Sequence, residues 1–408
     1  MVLTEGGLDL AGVGVVFAVY GATTASMELP TGGLADALGR RPVLVAAAVL
    51  FIVFDVVLLF GDSLAVYVGG AFVGGVGRAL SSGPLEAWFI DRARVADPDL
   101  PLRPDLSRAG VVGGLALAIG ALGSTAITTL AEGQIAGIPL VALPITIEAI
   151  TNVIFAVTMA FLLIEPDTPA DTTGRRAILA AVRDVPRVIK DGLALARSTV
   201  VLRRLLVAAL MVAIGAVTIE LLWQPRLAEL LGGTTQAARV SGLVVAGYML
   251  AQAVGAGLAQ RLPNSVAHRM GPAAGVLLLS ASLSMLGLAA SPTPWLLAMA
   301  MLAFYCLLTA SSVLRQELLH EWVPSSRRAT MISVDSLAAQ LGNVVASLFV
   351  ARIAGATSIA VGWSIGAAAV AIGAAVVTTT RLPSTGPASV FDDPQNSPHF
   401  KRPLAPRN

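Results

Sequence analysis

Eleven long apolar runs, each about as long as a bilayer is thick, govern what this 408-residue chain can fold into. They fall near residues 10 to 35, 42 to 60, 64 to 90, 108 to 130, 138 to 164, 202 to 224, 238 to 260, 270 to 290, 294 to 318, 328 to 353 and 356 to 380. A hydrocarbon core of roughly 30 Å takes about 20 apolar residues as a helix. No water is available there to satisfy backbone N–H and C=O groups, so only helices or closed barrels span it. These runs are too long and unbroken for barrel strands, and the prediction is an all-α integral membrane protein. Composition agrees: 56% of residues are hydrophobic, 13% are charged and mean hydropathy is +0.80, too little charge to cover a soluble surface. Forty glycines would weaken soluble helices, but between membrane helices small residues let backbones approach.

Loop charge orients the bundle, because Lys and Arg accumulate on the cytoplasmic side. If the corner at Arg40 and Arg41 is inside, about 23 of the 27 basic residues fall inside as well. Arg226, Arg239 and Arg352 fall outside, and Arg78 lies within a span. The C-terminus is therefore expected in the cytoplasm and Met1 to Asp9 outside. The small net charge of +2 is spread among loops, so no nucleic-acid-binding face is expected. Cys306 has no second cysteine to pair with, which excludes an intramolecular disulfide.

Residues 32 to 41 read Gly-Gly-Leu-Ala-Asp-Ala-Leu-Gly-Arg-Arg between two apolar runs. With Gly32, Asp36, Gly39, Arg40 and Arg41, and Pro42 starting the next helix, this corner resembles the signature loop between helices two and three of the major facilitator superfamily of membrane transporters. The resemblance implies two bundles related by pseudo-symmetry, with a substrate cavity near mid-membrane between them. An internal echo has the matching period: Gly33-Leu34-Ala35-Asp36-Ala37-Leu38 reappears as Gly257-Leu258-Ala259-Gln260-Arg261-Leu262 at an offset of about 224 residues. A fainter one sets Ser81-Ser82 opposite Ser311-Ser312.

The expected organisation is an N-terminal bundle over 1–164, an amphipathic cytoplasmic linker over 165–200, a six-helix bundle over 201–381 and a disordered cytoplasmic tail over 382–408. About 55 residues separate the start of the second half's first run from Gly257, against about 32 before Gly33. That difference is one span. The expectation is a twelve-helix architecture of which eleven are present, helix one missing through a misplaced start or a natural truncation.

Charges inside apolar runs are the candidates for chemistry, since an ionisable group in hydrocarbon is costly unless it faces a partner or a water-filled path. Arg78 stands about 14 residues, or roughly 20 Å, from Leu64. Gly77-Arg78 with Gly83 resembles the helix-four arginine motif of proton-driven members of the family, which implies proton transfer; the alternative is an Arg that bonds neighbouring carbonyls. Glu148, about ten residues into its run, is the matching coupling candidate. Asp55 and Glu220 lie toward the outer side, while Glu28 and Asp335 lie roughly 10 to 12 Å from the inner ends of their helices. Each of these four is a gate, a coupling or substrate group, a packing hydrogen bond or a snorkelling side chain.

By resemblance, Asp36 meets the N-terminal end of the helix beginning near Ala329, where the dipole favours an anion, and Arg40 pairs with Asp91. Both contacts would close the cytoplasmic side. Gly110, Gly113, Gly114, Gly120 and Gly123 resemble the family's antiporter motif without its Gly-Pro pair; tight helix packing accounts for them equally. Trp88, Trp223, Tyr248 and Trp322 are aromatics available to a substrate, with interfacial anchoring the role read for most of them.

His268, His320 and His399 have no partner at ligand spacing, and no nucleophile triad or Walker sequence is present. The reading is therefore not an enzyme, with no cofactor and no metal. It is a monomeric secondary transporter of the cytoplasmic membrane, exporting a small amphipathic molecule in exchange for protons. The alternatives are sugar, metabolite or ion symport, or a truncated membrane protein that transports nothing. The partners implied are a small-molecule substrate, protons and the lipid bilayer.

Overall fold

The computed structural model describes residues 2–97, 103–130, 134–135, 138–139, 142–165, 194, 199–262, 269–323 and 328–380. Among them, eleven helices are long and apolar enough to cross a membrane. A short α1 (Val2–Glu5) precedes α2 (Leu10–Leu38), α3 (Arg40–Phe60), α4 (Leu64–Ser81), α5 (Pro84–Ala96) and α6 (Arg103–Leu130). A two-residue antiparallel pair, β1 (Gln134–Ile135) and β2 (Ile138–Pro139), leads to α7 (Leu143–Leu162). Then come α8 (Val200–Leu231), α9 (Thr234–Gln260), α10 (Met270–Ala290), α11 (Pro294–Trp322) and α12 (Arg328–Val345). A π-helical turn (Ala346–Val350) joins α12 to α13 (Ala351–Ala356), and α14 (Ile359–Thr378) ends the described chain.

Local chemistry sets the helix ends. Asp9 caps α2 by accepting from the backbone N–H of Gly12 at 2.7 Å, and Ser358 does the same for α14 through Val361 at 3.3 Å. Pro84 and Pro294 occupy first turns, where the missing N–H costs nothing. Gly232 closes α8 with a left-handed φ of 78°.

The corner expected from Gly32 onward is tighter than the sequence suggests. Helix α2 continues through Asp36 to Leu38, and the whole turn is made at Gly39, whose φ of 90° suits a residue without a Cβ. The span containing Arg78 is likewise divided, since α4 stops at Ser81 and Gly83 turns with φ of 96° before Pro84 starts α5. Arg78 therefore sits in the last turn of α4 beside a mid-span break.

The helices form two groups. In the first, α4 packs on α2 and α3, and α3 on α7. In the second, α14 packs on α8 and α10, α10 on α11, α11 on α9, and α12 on α8. The second group has the larger core, built around Trp223, Phe304, Trp363, Leu278 and Met285. Two seams join the groups: α2 against α12, the π-turn and α13, and α6 against α9. The offset of the sequence echo carries α2 onto α9 and α6 onto α12 and α13, so the two seams exchange under the pseudo-symmetry.

One expectation fails here. Gly113, Gly114, Gly120 and Gly123 of α6 do not serve tight packing, because a Cβ at any of them would meet nothing within 4 Å among the described residues, while Gly110 lies outside the residues whose surroundings are described. The physical reason is that α6 leans on α9 of the opposite group and makes few contacts with its own neighbour α7, leaving the glycine face uncovered among the described residues.

Candidate functional site

Between the two seams lies a cavity of about 690 Å³, within the range that holds drug-sized ligands. It is lined by the first half of α2, the ends of α3, α6 and α8, and the beginnings of α7 and α9. All of these lie at the end of the bundle away from the Arg40 corner. The wall is mostly apolar, with Val13, Phe17, Phe54 and Leu58 on one side and Leu221 and Val245 on the other. Polar atoms come from Thr4, Tyr20, Ser124, Thr128, Gln224 and Ser241.

Two carboxylates reach this space, one from each group: Glu148 on α7 and Glu220 on α8. Glu148 has no hydrogen-bond or ion-pair partner among the described residues, though Asp55 and Tyr20 lie within its electrostatic reach. Arg78 also acts on Tyr20, although it does not itself line the cavity. Glu220 is held firmly. It accepts a hydrogen bond from the Tyr305 hydroxyl on α11, and Tyr305 stacks on Tyr248 of α9 with ring centroids 4.6 Å apart. Trp223, three residues on, packs its indole beside the same carboxyl group.

Asp55 is set back from the cavity. It is buried, 2% exposed, and accepts from Asn152 Nδ2 on α7 at 2.9 Å, which ties α3 to α7. Glu28 and Asp335 belong to the other end of the bundle. Ser336 donates to Glu28 Oε2 at 3.4 Å across the seam of α2 and α12. Next to it, Asp335 is gripped by both Nη atoms of Arg315 on α11, at 2.7 and 3.0 Å.

At the glycine corner, Arg40 Nη2 meets Asp91 Oδ2 at 2.5 Å, joining α3 to α5, and the Arg40 backbone N–H donates to the Glu165 carboxylate. Trp88 on α5 donates to the backbone oxygen of Ile164 at 3.1 Å, so the same corner collects the end of the α7 segment. Arg41 is exposed. The side chains of Asp36 and of residues 328–330 lie outside the described residues, and with them the contact expected between Asp36 and the start of α12.

The sequence matches the Major Facilitator Superfamily over residues 2–262, more than half of its length. The chain belongs to the Major Facilitator Superfamily. No curated protein sequence is significantly similar to it. Among solved structures it is similar to the crystal structure of the nucleoside transporter NupG, with a TM-score of 0.67 at 12% identity over 91% of this chain and 90% of that one. A point mutant of NupG gives a TM-score of 0.66 at 12% identity over 92% of each chain. At such identity the likeness concerns the fold. Membership of the superfamily makes the protein a multi-pass membrane transporter with a small-molecule substrate.

Within this superfamily frame, two of the aromatics take other places than the membrane interface. Trp223 is buried in the second group's core and Tyr248 is stacked on Tyr305, because both lie on helix faces turned toward neighbouring helices. Sequence reasoning passed over Tyr305 and Arg315. Arg315 carries a readable signal, since an arginine seven residues before the end of an apolar helix calls for an acid on a neighbouring helix. Tyr305 carries none; its pairing with Glu220 depends on how α8 and α11 cross.

Proposed function

We propose that this transporter works by alternating access, exporting a small amphipathic molecule in exchange for protons. The single observation that carries the reading is the placement of Glu148 and Glu220, from opposite groups, on one largely apolar cavity lined by membrane-spanning helices. A carboxyl group there can hold a proton or attend a substrate, and its access to either side changes as the groups rock. Glu148 and Arg78 are assigned the coupling, with Tyr20 within the electrostatic reach of both. Asp36, Arg40 and Asp91 are assigned the gate on the side opposite the cavity. Lys and Arg distribution supports a cytoplasmic C-terminus, and the cytoplasmic membrane is the assigned location. The N-terminal bundle, linker, second bundle and tail divide as 1–164, 165–200, 201–381 and 382–408, and the protein works as a monomer.

The test is dye-quench recovery in inverted vesicles with an imposed proton gradient. Addition of a transported compound is expected to dissipate the gradient, and Glu148→Gln to abolish that response. Uptake that follows protons in the same direction would replace this reading with symport.

A further inference from the structure

We infer that the substrate of this cavity is an organic cation with an apolar body. The inference rests on the transport reading and adds the substrate's charge to it. Among the described residues the lining carries two carboxylates, Glu148 and Glu220, and no Lys, Arg or His. The remaining wall is apolar and aromatic, so it offers contact area to hydrocarbon and aromatic surface but little to a highly polar solute.

The surrounding charges keep that sign. Facing Glu148 are Tyr20 from α2 and Asp55 from α3, and Asp55 is held by Asn152 of α7, the helix that carries Glu148. Facing Glu220 are the hydroxyls of Tyr305 and Tyr248. The cations nearby do not line the space. Arg78 acts on the lining residue Tyr20, and Arg226 pairs with Glu229 at 2.9 Å and donates to the Ser291 carbonyl. Arg239 follows the lining residue Ala238 but does not itself line the space.

A carboxylate in a low-dielectric wall is stabilised by an opposite charge and repels a like one. An anionic substrate would meet repulsion from both halves of the site. A cation would be attracted by both, and would bridge the two groups as a proton on either carboxyl cannot. The fixed Glu220, clamped by Tyr305, gives the cation a defined seat. Glu148, with no hydrogen-bond partner among the described residues, lines the same space and can approach it.

Equilibrium binding to the purified full-length chain in detergent, without any gradient, tests this. The probes are tetraphenylphosphonium and tetraphenylborate, which share shape and apolar surface and differ in charge. Saturable binding of the phosphonium alone is expected, weakened at least tenfold in the Glu148→Gln, Glu220→Gln double variant and weakening as pH falls through the carboxyl range. If the double variant does not fold, as judged by its melting transition, Glu148→Gln alone decides, with a loss of threefold or more expected. Absence of saturable phosphonium binding, comparable saturable borate binding, or indifference to the substitutions overturns the inference. Gradient-driven flux of neutral compounds in vesicles would then leave the transport reading standing with a different substrate class.

Discussion

Gly14 faces the backbone carbonyl of Ser347 so closely that a Cβ at its position would come within 2.1 Å of the oxygen. The contact joins α2 to the π-helical turn that follows α12. Its counterpart lies at the other seam, where a Cβ on Gly242 of α9 would come within 1.8 Å of the carbonyl oxygen of Ala121 on α6. Gly14 and Gly242, like Ala121 and Ser347, are separated by nearly the offset of the sequence echo, about 224 residues. Two pseudo-symmetric glycine contacts therefore set the closest approach of the two groups on either side of the cavity.

Substitution at these points forces backbones apart. Gly14→Ala and Gly242→Ala are each expected to destabilise the fold by about 1–3 kcal/mol, the usual cost of overpacking. Gly113→Ala on the uncovered face of α6 is the control, with a neutral result or a gain of about 0.5–1 kcal/mol expected from helix propensity. Melting transitions in detergent compare the three. A Gly14→Ala protein as stable as the Gly113→Ala protein would remove the seam contact from the account.

The fork of Arg315 on Asp335 is mostly shielded, the two side chains being 12% and 17% exposed. Removing one partner leaves the other charge poorly compensated. Asp335→Asn is expected to cost about 2–3 kcal/mol, somewhat below the 3–5 kcal/mol typical of a fully buried pair. A double-mutant cycle with Arg315→Met measures the coupling; additivity of the two single losses would show that the pair contributes no interaction of its own.

Arg40 and Asp91 present the opposite case. Asp91 is 62% exposed, and exposed pairs contribute about 0–1 kcal/mol. Asp91→Asn is therefore expected to leave the melting temperature nearly unchanged while slowing substrate flux several-fold, as a gate contact would. Unchanged flux in vesicles would reduce the pair to an anchor.

How much of this was readable follows from where each interaction is encoded. The spans are legible because bilayer thickness acts on consecutive residues, and each of the eleven runs overlaps one of the eleven candidate spans, although the run containing Arg78 is divided into α4 and α5. The pairing of Arg40 with Asp91 was reachable only through the corner's resemblance to a family, because 51 residues separate the partners. Nothing local marks Tyr305 as the partner of Glu220, or Asn152 as the partner of Asp55. Such pairs depend on helix rotation and crossing, which a run of apolar residues leaves undetermined. The α6 glycines misled for the same reason: small residues permit close packing but do not say which neighbour arrives.

Glu148 and Asp55, neighbours in the first group, are expected to separate function from stability. Glu148 faces the cavity without a hydrogen-bond partner among the described residues, so Glu148→Gln removes a charge and breaks no bond. Stability within about 0.5 kcal/mol of the parent is expected together with a loss of proton-driven flux of tenfold or more. Asp55 is buried and accepts from Asn152, so Asp55→Ala strands an amide donor at the interface of α3 and α7. A loss of about 1–3 kcal/mol is expected from that unsatisfied group, and Asp55→Ala, Asn152→Leu should recover part of it by removing the stranded donor. Melting transitions and vesicle flux on the same four preparations decide the matter: a Glu148→Gln protein that melts early but transports would reverse the two roles.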